Sequence, residues 1–352
     1  MSDTSTDRNT TGRALVAVGN GKVEFRRISV PPLTEWDIQV RLERSAISIG
    51  TESHIVGKVA SADSPFIIGY APVASVEAVG AQAARYFAKG NRVIYFGPDR
   101  TPNGPAHCCG GHQSPAVLNV NPETRDLLGP DRFCVKVPDG LGSEQAAFAG
   151  IAAVSSMGAT MPGTKPGDKV LVLGQGLIGQ FAAQHFRLRG AEVAVSDLNA
   201  KRLSISSVCG ADHVINSSKQ DTVEAVRAIW SEGADIIADT TGSYPVIEST
   251  LNALKKRGRY VFLGWCKGAN FNLERFHGQK VFEAFFPWTL EGAHVLHSLR
   301  MLKQGGLRAD PLITHRVDIG EAPPVYEKIL NATEEYLGVV FNWDETTEGG
   351  VE

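Results

Sequence analysis

Cysteine is scarce and shows no pairing pattern, with Cys108, Cys109, Cys134, Cys209 and Cys266 the only five in 352 residues. An odd, scattered set excludes a disulfide framework and points to a reducing compartment, for which the cytoplasm is the expectation. Long apolar runs are missing too. The longest, residues 146–154, is broken by Gly150 and falls far short of the ~20 residues that span a bilayer, so no membrane partner is expected. The first dozen residues, MSDTSTDRNTTG, lack the apolar centre of a secretory leader, and the expectation is a soluble, unprocessed chain. Neither sign of charge prevails: 35 Lys and Arg face 38 Asp and Glu, which points away from nucleic acid and anionic surfaces. With 43% hydrophobic and 21% charged residues the composition is ordinary for a globular chain, and the length allows about two domains.

Two rhythms follow one another along the chain. From Ala14 to Val137 short apolar runs such as ALVAVG, KVEFRRISV and APVASVEAVG are cut by Gly and Pro, the mark of a β-rich segment. From Lys169 apolar strands (VLVLG, EVAVSD, DHVIN, ADIIADTTG, RYVFLGW) alternate with helical stretches, which describes a parallel sheet covered on both faces. The predicted fold class is therefore α/β: a doubly wound parallel sheet at 150–293 set into a β-rich domain formed by 1–149 and 294–352.

Gly174, Gly176 and Gly179 in LVLGQGLIGQ form G-x-G-x-x-G between an apolar strand and a helix that opens with Leu177 and Ile178. Such a turn lets a pyrophosphate approach the backbone at the N-terminus of the helix. Asp197 lies 21 residues beyond Gly176 at the end of EVAVSD, where a carboxylate hydrogen-bonds ribose hydroxyls and repels a 2′-phosphate; NAD is the expected cofactor. Arg202 is a candidate for ribose or phosphate, with a plain surface role the other reading. Thr240 and Thr241, after Asp239, and Gly264 with Trp265, fall at predicted strand ends, where such sheets bind ligands. Asp239 itself reads equally as a ligand contact or as a structural carboxylate.

The β-rich first half, VGAQAARYFAKGNRVIYFG, KVPDGLGSEQAAFAG, the GQGLIG turn with Asp197, GADIIADTTGS, KRGRYVFLGW and the closing PLITHR to VVFNW together resemble the medium-chain dehydrogenase/reductase superfamily over residues 13–344. The resemblance implies a GroES-like catalytic domain, a Rossmann domain, a cleft between them, and a homodimer paired near Asn270 to Trp288. It also shows where the chain departs from the pattern. The positions that carry zinc ligands in the zinc alcohol dehydrogenases look like Ser48, Tyr70 and Ala149 here, and hydroxyl, phenol and methyl groups do not make a tetrahedral zinc site. No metal is expected. The cluster His107, Cys108, Cys109, Gly110, Gly111, His112 lacks ligand spacing and reads better as a glycine-rich loop. SISIGTE, the Gly69–Tyr70 pair and the LITHR to NW ending resemble the zinc-lacking branch that includes the bacteriochlorophyllide a dehydrogenases, which implies a biosynthetic or secondary-metabolic pathway, although Ala71 stands where that branch has glutamate.

Without zinc, removal of the alcohol proton falls to a positioned side chain. Tyr70 is the candidate acid or base, its pKa needing to fall for the second role; Ser48 and Thr51 are relay hydroxyls, with Glu52 or His54 passing the proton onward. A Tyr70 that merely fills the space of a lost metal is the competing reading. Ser155 and Ser156 are expected to cap the helix entering the second domain. Tyr95, Phe96, Phe285, Phe286, Trp288 and Trp265 are candidates for an apolar substrate pocket or for core. The expected activity is zinc-independent, NAD-dependent interconversion of a small-molecule secondary alcohol and a ketone. The alternatives are an NADPH-dependent enone or quinone reductase and a catalytically silent dinucleotide-binding protein.

Overall fold

The computed structural model describes residues 11–98, 105–107, 109–124, 126–127, 133–265, 282–287, 290–331 and 335–344. Cys108, Cys266, Trp288 and residues 270–281, all named above, lie outside them. The chain forms two units: residues 1–148, 291–293 and 315–352 make the first, residues 149–290 and 294–314 the second.

In the first unit alternation builds the sheets. Strand Asp37–Ala46 buries Ile38, Val40 and Leu42 on one face, and these join a core with Val76, Val93, Tyr95 and Phe341. It pairs antiparallel with Ala71–Val79 on one side and Gly338–Asn342 on the other, so the end of the chain closes the sheet begun near its start. Tyr95 is fully buried in this core and Phe96 stacks on Phe133 at 5.8 Å between centroids, so of the pocket candidates Tyr95 belongs to the core.

The second unit is a six-stranded sheet ordered His213–Asn216, Glu192–Asp197, Lys169–Leu173, Ala234–Asp239, Leu254–Phe262, Glu283–Phe285, with every pair parallel. Continuous apolar strands follow from burial on both faces: Leu171 and Leu173 pack in one core, Val170 and Val172 in another. The chain reverses its winding between Lys169–Leu173 and Ala234–Asp239, the position where sheets of this order bind dinucleotides.

Two expectations need correction. Residues 294–314, assigned above to the first domain, pack in the second unit, because helix Gly292–Lys303 and the turn after it bond to the helices there. Gln184 holds the backbone N–H of Arg308 at 2.7 Å, His294 Nδ1 lies 3.1 Å from Ser156 Oγ, and His297 stacks on His185. Ser155 and Ser156 cap nothing. Helix Ala149–Thr160 runs through them, and the Ser155 hydroxyl donates to the Ile178 carbonyl at 2.8 Å.

His185 is fully buried in helix Leu177–Leu188, its Nε2 3.1 Å from the Ala152 carbonyl and its Nδ1 without a hydrogen-bond partner. Burial holds its pKa well below the usual histidine value, and Arg189, His297 and His294 push the same way. A pKa depressed on folding gives stability that is full above pH ~6.5 and is lost as pH falls below it. His185→Gln is expected to reduce the drop in Tm between pH 7.5 and 5 by about 2–4 °C, read by calorimetry, and an equal drop in both proteins contradicts this account.

Candidate active site

The register of two strands brings the candidate hydroxyls together. Ala46 pairs with Ala71, Ser48 follows the first strand by two residues, and Tyr70 immediately precedes the second. The Tyr70 hydroxyl donates to Ser48 Oγ at 2.7 Å, and the Ser48 hydroxyl donates in turn to Thr51 Oγ1 at a long 3.4 Å. Thr51 lies in the first turn of helix Ile49–His54 and is half-buried. Tyr70, Ser48 and Thr51 thus form one hydroxyl chain leading from a buried phenol toward a partly exposed threonine.

Beneath this chain lies a second network that residue spacing did not reveal. Glu52, 1% exposed, accepts the Ser48 backbone N–H at 2.8 Å through Oε1; its Oε2 accepts the Tyr326 hydroxyl at 2.5 Å and lies 3.1 Å from His112 Nε2. His112 Nδ1 is 2.9 Å from Ser45 Oγ, which also accepts the Trp343 indole N–H at 2.8 Å. Glu52 therefore holds the backbone of Ser48 and does not extend the hydroxyl relay, contrary to one expectation. His112 turns into this network rather than toward Cys109. Among the described residues no group of three or more His, Cys, Asp or Glu side chains is arranged to hold a metal ion.

Burial raises the Tyr70 phenol above its ordinary range; the bond to Ser48 opposes the shift, and the charges of Glu52 and Cys109 add to it. Tyr326 is likewise raised, by burial and by Glu52.

In the second unit Gly174, at φ +83°, ends strand Lys169–Leu173, and Gly176 opens helix Leu177–Leu188 with no side chain capping its N-terminus. A Cβ on Gly176 would meet nothing within 4 Å, whereas one on Gly179 would lie 1.9 Å from the Gly174 carbonyl oxygen. One glycine opens space in front of the helix and the other lets the helix press on the turn. This cradle fits a pyrophosphate at the backbone N–H groups of Leu177, Ile178 and Gly179. Asp197 accepts the backbone N–H of Gln175 at 2.6 Å and of Asn199 at 2.7 Å, which ties the second strand to the glycine turn. The Arg202 backbone N–H is capped by Asn199.

Thr240 donates to the carbonyls of Leu173 at 2.8 Å and Gly174 at 3.0 Å, and so clamps the turn from the neighbouring strand. Thr241 donates to Asp239, which also accepts the backbone N–H of Gly242. Asp239 is fully buried with its pKa raised by desolvation, and it organises its own turn. Gly264 packs against that turn, where a Cβ would come 2.2 Å from the Gly242 nitrogen, and Trp265 beside it is 43% exposed.

Residues 178–305 match the family model described as zinc-binding dehydrogenase. The chain is 26% identical over 345 residues to the L-threonine 3-dehydrogenase of Rhizobium etli, covering 91% of this chain and 94% of that protein. Among solved structures it resembles a putative zinc-binding dehydrogenase from Sinorhizobium meliloti bound to NADP (TM-score 0.77, 21% identity, 95% of this chain and 99% of that one). It also resembles a short chain alcohol dehydrogenase from Escherichia coli complexed with NADH (TM-score 0.78, 18% identity, 94% and 99%). In sequence the chain is thus similar to zinc-binding, alcohol dehydrogenase-like oxidoreductases, and in fold to solved dehydrogenases. No helix among the described residues is long and apolar enough to cross a membrane.

The close approach at Gly179 sets a test. Gly179→Ala is expected to lower stability by about 1–3 kcal/mol through overpacking against Gly174, measured by denaturant titration, while Gly176→Ala leaves the midpoint in place.

Proposed function

We propose that the protein is an NAD-dependent oxidoreductase that interconverts a secondary alcohol and a ketone without a catalytic zinc. The observation that carries this reading is the buried bond from Tyr70 to Ser48 at 2.7 Å, continued to Thr51, at positions where the zinc-type pattern calls for metal ligands. Ser48, Tyr70 and Ala149 do not fit zinc, which takes thiolate, imidazole and carboxylate donors, so no step runs through a metal.

A bound nicotinamide supplies hydride transfer; proton movement belongs to the chain. A phenol raised above its ordinary range does not persist as a free phenolate near neutral pH. The relay removes the need for one. During oxidation the Tyr70 oxygen accepts the alcohol proton as its own proton passes to Ser48 Oγ, the Ser48 proton passes to Thr51, and the partly exposed Thr51 gives its own proton to water. The observed donor sense, Tyr70 to Ser48 to Thr51, is the sense that carries a proton away from substrate. Ketone reduction reverses each transfer. Tyr70 is therefore read as a member of the relay and not as a solitary base.

Backbone N–H groups at Leu177, Ile178 and Gly179 suit the pyrophosphate, with Gly174 and Gly176 keeping its approach open. Asp197 suits the adenosine ribose, with Arg202 beside it. Its carboxylate disfavours a 2′-phosphate, which supports NAD over NADP. Thr240, Thr241, Gly264 and Trp265 shape the carboxyl edge of the sheet toward the rest of the dinucleotide. The L-threonine 3-dehydrogenase likeness supports a small secondary alcohol as substrate.

Two measurements test this. With L-threonine or propan-2-ol, saturating NAD and EDTA throughout, Tyr70→Phe is expected to lower kcat about 100-fold, and an unchanged kcat sinks the relay. NADH is expected to bind at least about tenfold more tightly than NADPH by fluorescence titration, a preference that Asp197→Ala narrows.

A further inference from the structure

Backbone pairing between the two strands stops at Ala46 and Ala71, short of the side chains that touch. His112 occupies the place where it stops. Its ring lies so close to Gly69 that a Cβ there would come 2.4 Å from Cδ2, and Gly69 takes φ +89°, a conformation glycine adopts freely. The backbone N–H of His112 bonds the Ile68 carbonyl at 2.9 Å, and that of Gly111 bonds the Gly69 carbonyl at 2.7 Å. On its other side His112 Nε2 meets Glu52, whose second oxygen holds the Ser48 backbone. One fully buried ring thus touches the segment that carries Tyr70 and, through Glu52, the segment that carries Ser48.

The network also has a proton sense. An indole N–H only donates, so Ser45 Oγ accepts from Trp343; a carboxylate only accepts, so the proton between His112 Nε2 and Glu52 Oε2 belongs to the imidazole, and the Ser45 hydroxyl is able to donate to Nδ1. A neutral imidazole with an acceptor Nδ1 carries its proton on Nε2, which faces Glu52 Oε2. Tyr326 and the Ser48 backbone complete three donors around one carboxylate.

We propose that His112 is a positioning residue for the hydroxyl relay: as the Nε2–H tautomer it anchors Glu52, and through Glu52 it holds Ser48 within hydrogen-bond reach of Tyr70. This rests on the reading of Tyr70 and Ser48 as the relay. His112 touches neither hydroxyl, so its effect is expected on turnover and not on cofactor binding.

The experiment uses the full chain with NAD and propan-2-ol, comparing wild type, His112→Phe, Tyr70→Phe and the double variant; phenylalanine keeps a ring against Gly69 and removes both nitrogens. His112→Phe is expected to lower kcat at least about tenfold with KM for NAD within about twofold, and to cost less than about twofold more in the Tyr70→Phe background. Amide hydrogen exchange at Ser48 is expected to accelerate at least about tenfold while residues 170–173 stay protected. Unchanged Ser48 exchange in His112→Phe overturns the proposal whatever the activity. Full kcat in His112→Phe beside a crippled Tyr70→Phe also overturns it and leaves the relay standing. Faster Ser48 exchange together with full kcat in Tyr70→Phe supports the anchoring role and removes the relay instead. Should His112→Phe fail to fold, nitrogen-15 shifts of His112 in the wild-type protein decide: a neutral Nε2–H tautomer supports the proposal, and an Nδ1–H tautomer overturns it.

Discussion

Burying the Glu52 carboxylate constrains the whole first unit. A carboxylate taken out of water destabilises the fold by several kcal/mol unless donors surround it, and here the donors come from the Ser48 backbone, Tyr326 and His112. Each arrives on a different element. Ser48 stands at the start of helix Ile49–His54, His112 follows the glycine pair at 110–111, and Tyr326 sits on helix Ala322–Asn331. Satisfying one charge therefore fixes three distant pieces of chain around a single point, and the Tyr70–Ser48 hydroxyl contact rests on that point. Losing a single donor leaves a buried charge short of a partner, which in comparable sites costs about 3–5 kcal/mol.

The second unit is held by the opposite means. Its sheet is apolar on both faces, and the glycine turn, Asp239 and Thr240 stand at the carboxyl ends of its strands. Contacts there are short-range and steric: Gly179 against Gly174, Gly264 against Gly242, Thr240 on the carbonyls of the glycine turn. Gln175 and Gln180 add a buried amide network through Ser206, which pins the turn to helix Ala200–Val208. These contacts tie the turn to its neighbours. Preorganised backbone donors lose little freedom on binding, which is what a phosphate cradle requires.

Burial moves ionisable groups in opposite directions for one reason. Burial raises the Tyr70 and Tyr326 phenols, so the first unit holds its protons and stays neutral at these groups across the physiological range. Burial lowers His185, so the second unit keeps that ring unprotonated and meets its cost on the acid side. Desolvation disfavours whichever form is charged, and the direction follows from the type of group.

The alternation of apolar strands and helices, the glycine turn and the carboxylate 21 residues beyond Gly176 were legible in the sequence, because each arises from residues close along the chain. So were Tyr70 and Ser48 as hydroxyls at positions where a metal-binding pattern is broken, with Thr51 close to Ser48 in the chain. Only the tertiary structure decided that Tyr70 donates to Ser48, because strand register makes that contact. It alone revealed Glu52 with His112, 60 residues apart, and with Tyr326, 274 residues away. The burial of residues 294–314 in the second unit belongs here too. Periodicity reports which face of an element is buried, but the partner of a lone buried polar group is chosen by packing among segments far apart in the chain, and no local pattern encodes that choice.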